Sequence, residues 1–194
     1  MFEEAFKCVI KCVIKSEDRC FKLSSGKLSP YYIDLRRILF GDPKCLDIIS
    51  QVLIEKFLKY IQYDFIACKA LGAVPLAVSL SLKVEKPIIV LRERYKDYGL
   101  KGSVVGPIDQ VYGKYVVIVD DVATTGNTIL EVAKVVRDSG GIVDKAIVIV
   151  DREEGAREFL KKHNIELLSL FKRSELGISD EWLRSVENIC REVI

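Results

Sequence analysis

The sequence predicts an α/β fold in which helices cover both faces of a parallel β-sheet. From Pro43 onward, short apolar segments alternate with amphipathic segments of helical length. Within each apolar segment, the apolar residues are consecutive and do not alternate with polar ones. This pattern indicates strands that are buried on both faces. None approaches the roughly 18 apolar residues of a membrane span, so we expect no membrane association. Ligands of such sheets bind at the carboxyl ends of the strands.

The length and the composition suit a single globular domain. The chain has 194 residues, of which 49% are hydrophobic and 30% are charged, and single domains commonly contain about 100–200 residues. The 30 Lys and Arg balance 28 Asp and Glu, so we expect no nucleic-acid partner. The N-terminus does not resemble a secretory signal because Lys7, Lys11 and Lys15 interrupt its apolar residues. We therefore expect a cytoplasmic protein.

Residues 1–40 predict a helix followed by a small hood. The repeat KCVI-KCVI-K over 7–15 would place Cys8 beside Cys12 on a helix. A metal or redox pair and a buried helix face both fit this spacing, and the lack of further suitably spaced ligands favours the buried face. With no CxxC pair, most of the six cysteines are expected to be buried thiols. Short strands at about 21–27 and 31–35 predict an irregular flap rather than a core layer.

Residues 43–170 predict the α/β core, and 173–194 predict a terminal amphipathic helix with Trp182 as its packing anchor. A polar, glycine-containing stretch over 92–106 interrupts the core. The predicted elements are a helix at 45–60, a strand at 65–68, a helix at 73–82, strands at 87–91 and 115–120, a helix at 128–139, a strand at 143–150, and then a helix and a short strand.

The most informative stretch is VVIVDDVATTGNTIL over 116–130. A buried strand here ends in Asp120 and Asp121, whose carboxylates can accept hydrogen bonds from vicinal sugar hydroxyls. The following Thr- and Gly-rich turn presents amides and hydroxyls at a helix N-terminus, which suits a phosphate. A capped helix beside an acidic turn is the alternative. Three threonines, a glycine and two acids after one strand favour a site for a sugar phosphate.

This stretch resembles the phosphoribosyl-diphosphate (PRPP) signature of the type I phosphoribosyltransferases. The resemblance implies that family's fold, a parallel sheet flanked by helices with a small N-terminal flap or hood. It implies that Asp120 and Asp121 hold the ribose hydroxyls and that the loop holds the 5′-phosphate. The implied loop residues are Val122, Ala123, Thr124, Thr125, Gly126, Asn127 and Thr128.

Two further segments resemble the orotate phosphoribosyltransferases in the regions that contact the base. FKLSSGKLSPYYID over 21–34 is similar to that family's flap, although Ser24 replaces a usual lysine. The motif VDREEG over 150–155 is similar to the family's DRxEG. The implied orotate-binding residues are Tyr31, Tyr32, Thr124 and Arg152, with the Arg152 guanidinium on the orotate carboxylate. An arginine that caps the sheet edge is the structural alternative for Arg152.

Two other segments resemble the parts of that family that contact the diphosphate. RERYKDYGLKG over 92–102 is similar to its mobile catalytic lid, although Glu93 and Tyr98 depart from the usual lysine and histidine. The implied catalytic residues are Arg92, Arg94, Lys96, Tyr98, Asp120 and Asp121. Without the phosphate signature, a solvated hairpin of mixed charge would explain this stretch equally well. KALGAVP over 69–75 is similar to the diphosphate loop, with Lys69 and Gly72 as candidate contacts.

These resemblances imply transfer of phosphoribosyl from PRPP to orotate in pyrimidine biosynthesis, with Mg²⁺ held chiefly by substrate oxygens. They also imply a homodimer whose lids act across the interface. A purine or uracil phosphoribosyltransferase remains an alternative, as does a non-catalytic PRPP-sensing regulator of the same fold.

Overall fold

The computed structural model describes residues 1–16, 18, 20–22, 28–92, 104–186 and 190. Its helices are α1 (Phe2–Ile10), α2 (Arg36–Gly41), α3 (Pro43–Lys56), α4 (Val74–Val84), α5 (Asn127–Asp138), α6 (Ala156–Lys161) and α7 (Asp180–Ser185). Its strands are β1 (Val13–Lys15), β2 (Phe21–Lys22), β3 (Leu28–Ser29), β4 (Tyr31–Ile33), β5 (Phe65–Lys69), β6 (Ile88–Leu91), β7 (Val104–Val105), β8 (Val116–Ala123), β9 (Lys145–Asp151) and β10 (Glu166–Lys172). Short 3₁₀ helices lie at Leu58–Tyr60, Ile108–Gln110 and Arg173–Leu176.

The main sheet of the described residues has the strand order β10-β9-β8-β5-β6-β7, and only β7 runs antiparallel to its neighbour. Successive side chains of a strand point to opposite faces, and both faces are covered. Val117 and Val119 of β8 join a cluster that contains residues of α1, α3 and α4. Val116 and Ile118 join a second cluster that contains residues of α5 and α6. The predicted parallel α/β sheet is therefore confirmed.

Local sequence explains where the core elements begin. Helix α3 starts at Pro43, a residue suited to a first helical position because it lacks an amide hydrogen. The Asp42 side chain accepts hydrogen bonds from the amides of Lys44 and Cys45, each at 3.1 Å, and caps the helix. Strand β8 extends past its predicted end at Asp120 because β9 continues beside it, pairing Ala123 with Asp151. The acid pair therefore lies inside the last part of the strand.

The predicted helix over 7–15 is wrong in its second half. Helix α1 ends at Ile10, and the second KCVI unit enters β1, which pairs antiparallel with β4. Its β-branched residues Val13 and Ile14 suit a strand that lies beside Tyr31–Ile33. Strand β4 is also more than a surface flap, since Tyr31 and Ile33 are 2% and 6% exposed and belong to the core.

The cysteines also differ from expectation. Cys8 in α1 is bonded to Cys45 in α3, and Cys20 is bonded to Cys190. Cys12 and Cys68 are buried thiols. The prediction of mostly unpaired thiols is wrong because the partners are 37 and 170 residues apart, and spacing along the chain does not indicate pairing over such separations.

The C-terminal segment contains shorter helices than expected. The 3₁₀ helix Arg173–Leu176 is followed by Gly177, and α7 starts after Ser179, whose hydroxyl accepts a hydrogen bond from the Trp182 amide at 3.1 Å. Trp182 packs on the core, and the Lys15 ammonium lies 5.2 Å from its ring centroid. Among the described residues, no helix is long and apolar enough to cross a membrane.

Candidate active site

The candidate site is centred on two adjacent carboxylates at the end of β8. The Asp121 amide donates to Asp120 Oδ1 at 3.0 Å, and the Val122 amide donates to Asp121 Oδ1 at 2.8 Å. Burial raises the pKa of Asp120 well above its ordinary value, and the neighbouring Asp121 charge raises it further. Burial also raises the pKa of Asp121. Two half-buried like charges side by side are costly unless hydroxyl or cationic groups surround them.

The turn after β5 lies against this acid pair. A Cβ atom on Gly72 would sit 2.9 Å from Asp121 Oδ2, so only a glycine leaves the carboxylate where it is. Lys69 ends β5, and its positive charge lowers the pKa of Asp120. Its ammonium is bound to Glu131 at 2.7 Å. The structure therefore places both predicted diphosphate-loop residues close to the acid pair, with Lys69 already paired.

The predicted phosphate loop connects β8 directly to α5. Gly126 has φ +85 and precedes the helix as its N-cap, and a Cβ there would lie 3.0 Å from Leu160 Cγ. Both the left-handed backbone and the close packing require glycine. Within the described chain no side chain caps this helix end, and Asn127 and Thr128 are exposed. The N-terminus of α5 can therefore accept an anion.

Arg152 lies beside this loop, since its amide donates to the Ala123 carbonyl at 2.9 Å. Its side chain is 3% exposed. Nε and Nη2 contact Glu154 Oε1 at 2.9 and 2.8 Å, and Nη2 donates to Ser29 Oγ at 3.2 Å. Its Cζ lies 4.1 Å from the centroid of the Tyr31 ring, within cation–π range. Arg152 thus joins the hood to the sheet.

The two predicted hood aromatics occupy different positions. Tyr31 is buried, and its hydroxyl donates to Glu154 Oε1 at 2.8 Å. Burial raises the pKa of Tyr31, so its hydroxyl keeps its proton. Tyr32 is half-buried, lies 6.0 Å from the Phe21 ring, and accepts a hydrogen bond from Arg36 at 2.8 Å. Of the two aromatic residues, Tyr32 is the more accessible.

Two arginines near the site were not singled out from the sequence. Arg173 is 7% exposed and donates through Nε to the Arg152 carbonyl at 3.0 Å and through Nη1 to the Ile178 carbonyl at 2.8 Å. It therefore fixes the C-terminal segment to the Arg152 loop. Arg36 carries a charge that lowers the pKa of Asp121. Neither residue belongs to a local motif, although Arg36 directly follows the YYIDL segment.

Most of the predicted lid lies outside the described residues. Arg94, Lys96 and Tyr98 are in 93–103, which the structure does not describe. Arg92 is exposed directly after β6, the strand next to β5 in the sheet. The predicted lid therefore starts at the same sheet edge as the acid pair.

The raised pKa of Asp120 predicts a stability effect. Because its folded-state pKa exceeds its unfolded value, its contribution to stability is present at low pH and is lost as the pH rises through the folded pKa. Asp120→Asn cannot ionise, so its Tm should exceed that of the wild type by a margin that grows from pH 4 to pH 8. Each 1 kcal/mol corresponds to roughly 2–4 °C in a chain of this size, which calorimetry resolves.

Asp138→Asn at the exposed end of α5 is the matched control. Its Tm difference from the wild type should stay constant from pH 4 to pH 8. An Asp120→Asn margin that is flat or shrinks with rising pH would contradict the raised pKa of Asp120.

Comparison with known proteins agrees with this geometry. The family model described as a phosphoribosyl transferase domain matches residues 40–171. Curated orotate phosphoribosyltransferases of Archaeoglobus fulgidus and Methanocaldococcus jannaschii are 44% and 41% identical to the chain. The first alignment covers 87% of this chain and 88% of the relative, and the second covers 80% and 86%.

Solved structures agree as well. Orotate phosphoribosyltransferase from Aeropyrum pernix superposes with a TM-score of 0.75 and 32% identity, covering 94% of this chain and 99% of that one. The Mycobacterium tuberculosis enzyme in complex with PRPP gives a TM-score of 0.70 and 27% identity, covering 91% and 98%. The chain therefore belongs to the phosphoribosyltransferases and, within them, to the orotate phosphoribosyltransferase family.

Proposed function

We propose that the protein transfers the phosphoribosyl group from PRPP to N1 of orotate, giving orotidine 5′-monophosphate and diphosphate in pyrimidine biosynthesis. The observation that supports this best is that β8 and β9 end side by side. Their ends bring together the acid pair, the loop before α5 and the Arg152 guanidinium. A sugar, a phosphate and a planar carboxylate thus each meet complementary groups within one site.

The ribose end of the site uses the acid pair. Asp120 and Asp121 accept hydrogen bonds from the vicinal hydroxyls, and the amides and hydroxyls of 124–128 bind the 5′-phosphate. Both anchors fix the sugar, so the C1′–O bond can break with little motion of the ring. The carboxylates also oppose the positive charge that develops on the ribose in an oxocarbenium-like transition state.

The base end of the site uses Arg152. Nε and Nη2 are bound to Glu154 and Ser29, and no hydrogen bond in the described chain uses Nη1. The guanidinium is thus held rigidly with one nitrogen left for the orotate carboxylate. Thr124 and Tyr32 complete the contacts proposed for orotate, while Tyr31 acts by supporting the guanidinium. Orotate is already an anion, so its N1 needs little help from a protein base.

The diphosphate leaves toward the lid. Arg92, Arg94 and Lys96 would neutralise its charge while the closed lid excludes water, and Tyr98 would donate a hydrogen bond. This role stays a proposal, since only Arg92 is among the described residues.

Magnesium fits the donor set of this site. The described residues contain no cluster of three or more metal-ligating side chains, but Mg²⁺ commonly binds one or two carboxylates together with substrate phosphates and water. Asp120 and Asp121 supply such carboxylates beside the proposed ribose and diphosphate. When bound, Mg²⁺ neutralises part of the diphosphate charge.

We also propose a homodimer in which each lid serves the neighbouring site. Leu71 of the diphosphate loop and Val78 and Leu82 of α4 are 67%, 39% and 77% exposed, and Phe40 of α2 is 52% exposed. This apolar surface adjoins the acid pair through Gly72, so a second copy packed there would lie close to the site.

A mixed dimer tests this arrangement. Lys96→Ala and Asp121→Asn homodimers should each be inactive, and their mixture should regain up to about a quarter of wild-type activity, since one site per mixed dimer is intact and half of the dimers are mixed. The measurement is diphosphate release after subunit exchange. No recovery, with exchange verified by mass spectrometry, would place the lid over its own site.

Substrate choice is tested by a panel of bases. With PRPP and Mg²⁺, the wild type should release diphosphate with orotate and not with uracil, hypoxanthine or xanthine. Arg152→Gln should lower kcat/KM for orotate by about 100-fold or more, because a buried charge-assisted contact is lost. Arg184→Gln, an exposed change in α7, is the control. No turnover of orotate by the wild type would refute the proposal.

The contact between Gly72 and Asp121 gives a sharper test. In Gly72→Ala the new methyl group, 2.9 Å from Asp121 Oδ2, displaces the carboxylate by a few tenths of an ångström. Since small misplacements near reacting atoms are costly, kcat/KM for PRPP should fall by about tenfold or more. Gly41→Ala is the matched control, because a Cβ atom on Gly41 would meet nothing within 4 Å. Equal activity of the two variants would separate Asp121 from the reaction.

A further inference from the structure

Arg36 is a surface arginine that the structure holds in one orientation beside the acid pair. It is the first residue of α2, and its side chain is 56% exposed. Nε donates to Asp34 Oδ1 at 3.0 Å, and Nη2 donates to the Tyr32 hydroxyl at 2.8 Å. No hydrogen bond in the described chain uses Nη1. An arginine held at two of its nitrogens presents the third without losing much further side-chain entropy.

The guanidinium acts electrostatically on the site. Burial raises the pKa of Asp121, and the Arg36 charge is among the groups that oppose this shift. The hydrogen bond to Asp34 raises the pKa of Arg36, with contributions from Tyr32 and Asp121. Arg36 therefore stays charged. Its helix, α2, packs against α4, and α4 starts directly after the turn in which Gly72 lies against Asp121.

Three cations of the candidate site differ in their exposure and in their partners. Lys69 is 20% exposed and its ammonium is bound to Glu131 at 2.7 Å. Arg152 is 3% exposed and bound to Glu154. Of these three, Arg36 is the most exposed, and its Asp34 partner lies in its own turn rather than across the site. Arg36 is therefore the cation of the three that is best placed to meet an incoming anion.

We propose that Arg36 binds the diphosphate group of PRPP through Nη1. This inference rests on the proposed function, in which PRPP is the substrate. The 5′-phosphate already has the amides before α5, and the orotate carboxylate has Arg152. The diphosphate is the most highly charged part of the substrate, and it must approach two half-buried carboxylates. A fixed guanidinium next to Asp121 offsets that repulsion and suits phosphate oxygens.

The test compares Arg36→Gln with Arg37→Gln, which removes the same charge from the next exposed residue of α2. Titration calorimetry without orotate measures the Kd for PRPP, for inorganic diphosphate and for ribose 5-phosphate, each with Mg²⁺. Arg36→Gln should weaken the binding of PRPP and of diphosphate by about 10- to 100-fold. It should change the Kd for ribose 5-phosphate by less than about twofold. Arg36→Lys should lose less affinity for PRPP and diphosphate than Arg36→Gln, since lysine keeps the positive charge but not the fork geometry of the guanidinium.

Several results would overturn the inference. The first is that Arg36→Gln binds PRPP and diphosphate within about twofold of the wild-type affinity. The second is that Arg37→Gln loses as much affinity for PRPP and diphosphate as Arg36→Gln does. The third is that Arg36→Gln loses as much affinity for ribose 5-phosphate as for PRPP. Thermal melts show whether Arg36→Gln has a folding defect. If it has one, the affinities of Arg36→Lys are judged by the same criteria. Because no base is present, failure here leaves the choice of orotate untouched. A wild type that binds PRPP but does not use orotate would instead refute the proposed function alone.

Discussion

The placement of two adjacent, half-buried carboxylates near the end of β8 is the constraint on which the rest of the site depends. Asp120 and Asp121 are adjacent in β8, which stays paired with β9 along this part of the strand, so they cannot move apart. Their raised pKa values express the resulting cost. The surrounding groups reduce this cost in part: backbone amides bind their oxygens, Lys69 and Arg36 add positive charge, and Gly72 leaves room. A ribose whose vicinal hydroxyls donate hydrogen bonds to the carboxylates would offset the remaining cost.

A second set of contacts makes this sheet edge rigid. Arg152 follows β9 and binds Glu154, Ser29 and Tyr31, so it connects the sheet to the hood. Arg173 binds the Arg152 carbonyl and connects the same loop to the C-terminal segment. Buried arginines remain stable only when such partners satisfy their donors. The orotate carboxylate would therefore meet a guanidinium whose position three separate parts of the chain determine.

The sequence predicts best those features that depend on neighbouring residues. The apolar runs and the Thr- and Gly-rich turn after β8 are local, so the strands, the helices and the loop before α5 follow from pattern and turn chemistry. The four-residue period of the KCVI repeat suits a helix and a strand equally, and pairing with β4 makes the second unit a strand. The disulfide partners of Cys8 and Cys20 and the approach of Arg36 to Asp121 depend on long-range packing, which no local signal carries.

The most direct test of the central claim is a crystal structure of the protein with orotidine 5′-monophosphate. The account predicts ribose hydroxyls within hydrogen-bond distance of Asp120 and Asp121, the 5′-phosphate on the amides of 124–128, and the base carboxylate on Arg152. A nucleotide bound with its phosphate away from the α5 N-terminus, or with its ribose away from the acid pair, would contradict it.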